Sequence, residues 1–277
     1  MSTAQTETVA LNDLAATRPP EEQRPVREFF AAHAPGEGAP VAVVIPAYNE
    51  EPTVAAVVSA IPDEIAGQRA EVIVVVDGST DATAAEASRA GALVCDVRVN
   101  RGQGTVYWLG YWLARQRGAD VIATIDADGQ YEESELSRVL EPILAGRADV
   151  VYGSRRLGNE QTSDLMRHVG LRVFGGLVSL LIGQRITDPA AGLRAFRVEV
   201  PDSITLEQAQ YQSSELLISS ALHGFRVAEV GTTMKDRPVG ATGTKKGPNL
   251  LYGMRFARAV LGTWRRDRKA ARTRLRS

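Results

Sequence analysis

Val41-Ala42-Val43-Val44-Ile45 is followed at once by Pro46-Ala47-Tyr48-Asn49-Glu50, and this pairing of a wholly apolar run with a polar cluster recurs along the chain. Glu71 to Val76 leads into Asp77-Gly78-Ser79-Thr80-Asp81, Leu93 to Val97 into Asn100 to Gly104, Val121 to Ile125 into Asp126-Ala127-Asp128, and Val150 to Tyr152 into Gly153-Ser154-Arg155. Short runs this apolar throughout are strands covered on both faces. Between them the pattern turns helical: from Pro52, which suits a first helical position, then over Ala82 to Ala90, Thr105 to Arg117 and Ser134 to Leu144. Strands alternating with helices require right-handed crossovers, so the expected fold is α/β, a doubly wound, mostly parallel sheet with helices on both faces. Ligands of such sheets bind at the carboxyl ends of the strands, where every polar cluster falls.

Beyond Leu165 the sequence predicts a helix, a short strand (Leu193 to Phe196), a helix (Ser213 to His223), a strand (Arg226 to Val230) and a loop rich in glycine and lysine. Residues 1–38, with prolines, small residues and no sustained period, read as a mobile leader in which Val26 to Ala32 can form a short helix. Residues 39–247 form the main domain and 248–277 a basic amphipathic helix and tail. In that helix Leu250, Met254, Ala257, Leu261 and Trp264 fall on one stripe among Arg255, Arg258, Arg265, Arg266, Arg268 and Lys269. Such a helix either lies in an anionic lipid interface or packs its stripe on the domain. The formal net charge of -1 conceals this asymmetry: Lys235 to Ser277 holds 13 of the 32 lysines and arginines and 2 of the 33 acidic residues. A basic end on an acidic body suits phosphate-rich partners.

Several classes are excluded or disfavoured. The longest apolar stretch, Val173 to Gly183, is bracketed by Arg172 and Arg185 and is far shorter than the roughly 20 residues of a spanning helix. It reads as a core helix or as a segment lying against a membrane or a greasy acceptor. The single cysteine, Cys95, cannot form an internal disulfide, and no secretory signal is visible, which predicts a cytoplasmic protein, with the inner membrane face as its peripheral site. Specific nucleic-acid binding is not expected, since no aromatic-interleaved or helix-turn-helix pattern accompanies the basic tail. Trp108 and Trp112, four apart on a helix, are core residues or contacts in an oligomer.

The sharpest chemical signal is Asp126-Ala127-Asp128-Gly129-Gln130. Two carboxylates one residue apart at the end of a buried strand can hold a hard divalent cation, Mg²⁺ or Mn²⁺, which in turn neutralises a diphosphate. The same residues can equally form a turn with a helix cap. Asp77 can accept hydrogen bonds from a nucleobase or cap the following helix. Gly102 and Gly104 allow backbone to approach a phosphate closely at a helix N-terminus, although a tight turn also explains them.

Taken together and in this order, the motifs resemble glycosyltransferase family 2, which has the GT-A nucleotide-sugar fold. The resemblance spans Val41 to Lys246 and rests on Ile45-Pro46-Ala47-Tyr48-Asn49-Glu50-Glu51, Asp77-Gly78-Ser79, the Asn100 to Gly104 stretch, Asp126-x-Asp128, Gly153-Ser154-Arg155 and Asp188-Pro189-Ala190-Ala191-Gly192-Leu193-Arg194-Ala195-Phe196. Asp128-Gly129-Gln130-Tyr131 and the late Arg237 to Lys246 loop are most similar to the polyprenyl-phosphate (dolichyl-phosphate type) hexosyltransferases. Two positions depart from that pattern: Val76 stands where a second aspartate is usual, and Gln103 where a lysine is.

The resemblance implies that residues 39–247 are a GT-A catalytic domain performing a single inverting displacement, with a nucleotide-diphosphate sugar as donor. It implies Asp126 and Asp128 on the metal, Pro46, Tyr48, Glu50, Asp77, Gly102 and Gly104 at the donor, and Arg237 and Lys245 on donor or acceptor phosphate. Asp188 and Arg194 fall near the acceptor, and Arg155 pairs with acidic residues or phosphates. A lipid-phosphate acceptor needs no strong base; a hydroxyl of a soluble saccharide or secondary metabolite does, and Glu215 is the candidate. The remaining alternative is a nucleotide-sugar binding protein without turnover.

Overall fold

The structure, a computed structural model, describes residues 13–160, 165–235 and 250–274. Strand β1 (Val41–Ala47) is buried along its whole length and lies at the centre of the sheet. Its β-branched residues alternate between two cores: Ala42 and Val44 point to one, Val41, Val43 and Ile45 to the other. On one side β1 pairs in parallel with β3 (Gln68–Asp77), which pairs in parallel with β4 (Leu93–Val97), while the two-residue β2 (Glu64–Ile65) folds back on the start of β3. On the other side β1 pairs with β5 (Val121–Thr124). The strand was expected to stop at Pro46, yet it runs on to Ala47. Pairing with β5 ends opposite Val44, so the proline falls where β1 has one neighbour and a missing N–H is tolerated.

Beyond β5 the sheet becomes mixed. β7 (Arg194–Arg197) inserts antiparallel between β5 and β6 (Val150–Glu160), and β8 (Val227–Met234) closes the edge parallel to β6. The order β4-β3-β1-β5-β7-β6-β8 reverses direction of progress between β1 and β5, which opens a crevice at their carboxyl ends.

Helices α2 (Val54–Ala60), α3 (Thr83–Arg89) and α5 (Leu136–Leu144) contribute to the core holding Val41 and Val43. The opposite core takes α4 (Gln103–Arg117), α6 (Leu165–Ile182), α8 (Gln212–Leu222) and α9 (Leu250–Arg274), with the short α7 (Val200–Ser203) among them. Helix α4 lies so close to the sheet that a Cβ on Gly110 would fall 2.4 Å from a methyl of Val44. It ends at Gly118, whose φ of 96° forms the left-handed cap.

Two expectations are corrected. The supposed mobile leader contains α1 (Pro20–Ala32), whose Val26, Phe29 and Phe30 are buried in the core and pack near Trp112. Prolines at its first turn and at Pro25 mask a helix whose apolar face is stabilised by tertiary packing rather than propensity. In α9 the buried residues are Phe256, Ala259, Val260, Thr263 and Asp267, whereas Met254 is 53% exposed and Ala257, Leu261 and Trp264 are only half-buried. The apolar stripe read from the sequence therefore lies at the margin of the buried face. Asp267 and Thr263, polar yet buried, hid the true face from a hydropathy pattern.

Candidate active site

The loops after β1 and β3 are tied to one another at the crevice. Asn49, with φ of 52°, donates its backbone N–H to Ser79 Oγ (2.9 Å) and accepts the Thr80 N–H at its side-chain oxygen (2.9 Å). The Glu50 N–H donates to Thr83 Oγ1. Pro46 is buried at the strand end, whereas the Tyr48 ring is 48% exposed and stands at the rim.

Asp77, 3% exposed, accepts the N–H groups of Arg101 (2.7 Å) and Gly102 (2.9 Å), one on each carboxylate oxygen. Burial pushes its carboxyl above the usual range, and those two amides work against that rise. Asp77 thus shapes the loop ahead of α4. Gly102 has φ of 90°, the left-handed region, and the adjacent Gly78 (φ 68°) would place a Cβ 2.4 Å from the Asn100 nitrogen. Arg101 reaches back to Glu22 of α1 at 2.6 Å, so the segment read as a mobile leader fastens the same loop.

Asp126 and Asp128 follow β5. Asp126 is half-buried and accepts a hydrogen bond from Tyr107 Oη of α4 (3.1 Å); desolvation and the neighbouring Asp128 push its carboxyl up to about 6. Asp128 accepts the Gln130 N–H at 3.1 Å. A Cβ on Gly192 would lie 2.1 Å from Asp126 Oδ2, so the turn before β7 presses directly on this carboxylate. Gln130 and Tyr131 extend the turn to other elements: Gln130 pairs with Lys235 through backbone and side chain, and Tyr131 Oη accepts the Gly192 N–H.

Arg194, 1% exposed, donates to the Ala191 carbonyl (3.1 Å), Tyr111 Oη (2.9 Å) and Gln212 Oε1 (2.7 Å), with its guanidinium over the Tyr107 ring at 4.5 Å. Its Nε has no hydrogen-bond partner. Between Arg194, Asp126, Tyr107 and the start of α4 lies a cavity of about 160 Å³, also lined by Gln103, Gly104 and Gln210 to Ser214. An acidic group, a buried cation with an unused donor and a helix N-terminus share one wall, an arrangement for a ligand that carries both negative charge and a bound cation.

The structure does not bring the other expected residues to that wall. Asp188 is fully buried and holds Arg155 in a bidentate pair (2.5 and 2.7 Å), its amide and that of Thr187 being held in turn by Glu229. Glu215, 1% exposed, does not line the cavity: it accepts the amides of Glu207 and Gln208 and pairs with Arg266, which corrects its reading as a base in reach of an acceptor. Arg237 and Lys245 lie outside the described residues. Tyr107, Gln212, Ser213 and Ser214 were missed. Tyr107 follows Gln103 by one helical turn, which was the one local signal.

The acidic pair fits a divalent cation. Among the described residues no cluster of three or more His, Cys, Asp or Glu exists, so a cation here would rest on the carboxylates of Asp126 and Asp128, with phosphate and water completing its shell. This is the usual donor set for Mg²⁺ on a nucleotide. No helix among the described residues is long and apolar enough to cross a membrane.

Comparison with known proteins identifies the family and the fold. The chain is 36% identical over 197 residues to a dolichyl-phosphate hexose transferase of Haloferax volcanii, covering 71% of this chain and 83% of that protein. It is 32% identical over 225 residues to a polyprenol monophosphomannose synthase of Mycolicibacterium smegmatis, covering 76% and 83%. Its fold matches that of glucosyl-3-phosphoglycerate synthase from Mycobacterium tuberculosis, solved with Mn²⁺, uridine-diphosphate-glucose and phosphoglyceric acid, with a TM-score of 0.64 at 23% identity over 87% of this chain and 83% of the other. The α/β architecture is thus the GT-A fold, and with residues 42–204 matching the family model for glycosyl transferase family 2, the chain belongs to that family of hexose-transferring enzymes.

Proposed function

We propose that the protein is an inverting, metal-dependent hexosyltransferase that takes its sugar from a nucleotide-diphosphate donor and delivers it to a polyprenyl phosphate. The observation that carries this reading is the cavity lined by Asp126, Arg194 and the first turn of α4. Asp126 and Asp128 would hold Mg²⁺ or Mn²⁺. A cation bound there supplies counter-charge to the diphosphate as it leaves. Tyr107 orients Asp126 by its hydrogen bond, and Gly192 and the Ala191 carbonyl fix Asp126 and Arg194 relative to each other. Arg194, a buried guanidinium lining the cavity, offers counter-charge to an anionic oxygen bound there.

A phosphate acceptor suits this geometry because it arrives already ionised. No carboxylate in the cavity other than Asp126 is available as a base among the described lining residues, and Asp126 is committed to the cation. The names of the two relatives support the same acceptor class. The basic face of α9 and the exposed Val173 and Leu180 of α6 would bring the enzyme to a lipid surface.

The test is turnover of UDP-, GDP- and dTDP-sugars with and without Mn²⁺ or Mg²⁺, offering a short polyprenyl phosphate and soluble saccharides in parallel. Metal-dependent product on the lipid, reduced at least about 100-fold in Asp128→Ala, is expected. Product on soluble hydroxyls alone would refute the lipid acceptor, and donor binding with no product on any acceptor would favour a binding role.

A further inference from the structure

The loop from Thr205 to Tyr211 has no secondary structure of its own, yet it is held at both ends by buried polar groups. We propose that Glu215 and Arg266 are positioning residues that hold this loop against the first turn of α4, so that the C-terminal helix, outside the residues matched by the family model, is a working part of the donor site. The proposal rests on the donor reading of the cavity and is independent of the acceptor.

At one end, Glu215 Oε2 accepts the N–H groups of Glu207 and Gln208, both at 2.8 Å, and Oε1 accepts Arg266 at 2.9 Å. Arg266 donates further to Glu207 (3.0 Å) and to the Thr205 carbonyl (2.7 Å), and its Nε is held by Asp267 at 2.7 Å. Asp267 is itself 2% exposed and accepts Ser219 Oγ of α8. The guanidinium therefore bridges α9, α8 and the loop through bonds that water cannot easily replace.

At the other end the loop lies on α4. The Ala209 carbonyl accepts the Gly104 N–H at 2.7 Å, and a Cβ on Gly104 would fall 2.5 Å from the Gln208 oxygen. This glycine is thus required by the loop, whatever it does for a ligand. Gly104 carries one of the first-turn amides that a helix leaves unsatisfied, and the loop's grip on it decides which of those amides remain for an anion. From Gln210 to Gln212 the chain then lines the cavity, where Gln212 holds Arg194. Ordering a segment of this kind costs backbone entropy, which the Glu215 and Arg266 contacts offset. Without them the Ala209 contact is left to close the loop alone.

The experiment compares full-length wild type with Glu215→Ala, Glu215→Gln, Arg266→Ala, Arg266→Lys and the double alanine variant. Amide hydrogen exchange is followed over peptides covering 103–106 and 205–211. The affinity for UDP and GDP with Mn²⁺ and the kinetic constants are measured in parallel. Exchange in both peptides is expected to quicken about 10-fold or more in each alanine variant while the central strands stay protected. Affinity for whichever nucleotide binds wild type is expected to fall about 10-fold, with kcat falling less. The double variant is expected to be no worse than either single one. Glu215→Gln, which keeps an oxygen for the two amides, stays within a few-fold of wild type in kcat, and Arg266→Lys recovers part of the affinity. Unchanged exchange in both alanine variants would overturn the proposal. So would a collapse of kcat in Glu215→Gln at unchanged nucleotide affinity, the signature of a general base. If neither nucleotide binds wild type, it is the donor reading that fails, and the exchange of peptide 103–106 still decides whether the loop is held from α9.

Discussion

A Cβ at position 192 would lie 2.1 Å from Asp126 Oδ2, too close for the carboxylate to stay where Tyr107 holds it. Gly192→Ala is therefore expected to lower kcat/KM about 100-fold by displacing Asp126, with a Tm near that of wild type because the turn lies outside the regular elements. Tyr107→Phe removes only the hydrogen bond, and a loss of about 10-fold or less is expected; thermal denaturation alongside kinetics checks both. At this scale the position of the acidic pair just beyond a buried strand was legible, since two aspartates after an apolar run are a local signal. Tyr107, Gln212 and the buried Nε of Arg194 were not, because they reach Asp126 and the cavity from α4, α8 and β7, elements remote in sequence. Asp188 and Glu215 misled for the complementary reason: a carboxylate in a motif looks the same whether it faces a ligand or is consumed by Arg155 or Arg266.

The elements themselves were legible wherever one periodicity dominated, as in β1, β3, α4 and α5, and failed where tertiary packing overrode it, as in α1 and in the buried face of α9. Helix α1 is tied to the loop ahead of α4 by Glu22, 1% exposed, which pairs with Arg101 at 2.6 Å and with Arg18 at 2.7 Å. Glu22→Ala leaves those guanidinium groups without their buried partner. A fall in nucleotide affinity of about 5-fold, together with a lower Tm, is expected from calorimetry and denaturation. The far edge of the sheet carries a pH-dependent clasp. Arg226 at the start of β8 grips Asp149 at the start of β6 through two guanidinium contacts, 2.7 and 3.0 Å, and holds its carboxyl down at about 2. A carboxylate depressed in the folded state contributes its stability above the unfolded value near 4, and loses it as pH falls through about 2. With Arg226 half exposed the gain is about 1 kcal/mol, so Asp149→Asn is expected to lower stability by that amount at pH 7 and to match wild type near pH 2.

At the scale of the whole molecule, part of the exposed apolar surface gathers beside basic residues on two paired helices. Among the large apolar side chains left exposed, Val173 (60%) and Leu180 (81%) lie on α6 and Met254 (53%) on α9, and the two helices pack together through Phe174 on Phe256 and through Trp264 donating to the Leu181 carbonyl. Exposed Arg172, Arg185, Arg255, Arg258, Arg265 and Arg268 sit on the same pair. An apolar strip amid basic residues matches a membrane bearing anionic lipid, where short apolar insertion and surface potential add. The sequence carried the charge asymmetry and a membrane-facing alternative for each helix separately, but not their union, because the pairing of α6 with α9 is a tertiary fact. The protein is expected to float with vesicles containing phosphatidylglycerol and not with pure phosphatidylcholine, and the bound fraction to fall as salt rises past the Debye regime. Leu180→Asp is expected to weaken flotation about 10-fold without altering turnover of a short, water-dispersed polyprenyl phosphate, since Leu180 is on the outer face and away from the cavity. Equal binding to neutral vesicles, or flotation indifferent to Leu180→Asp, would detach the enzyme from the lipid surface while leaving its chemistry intact.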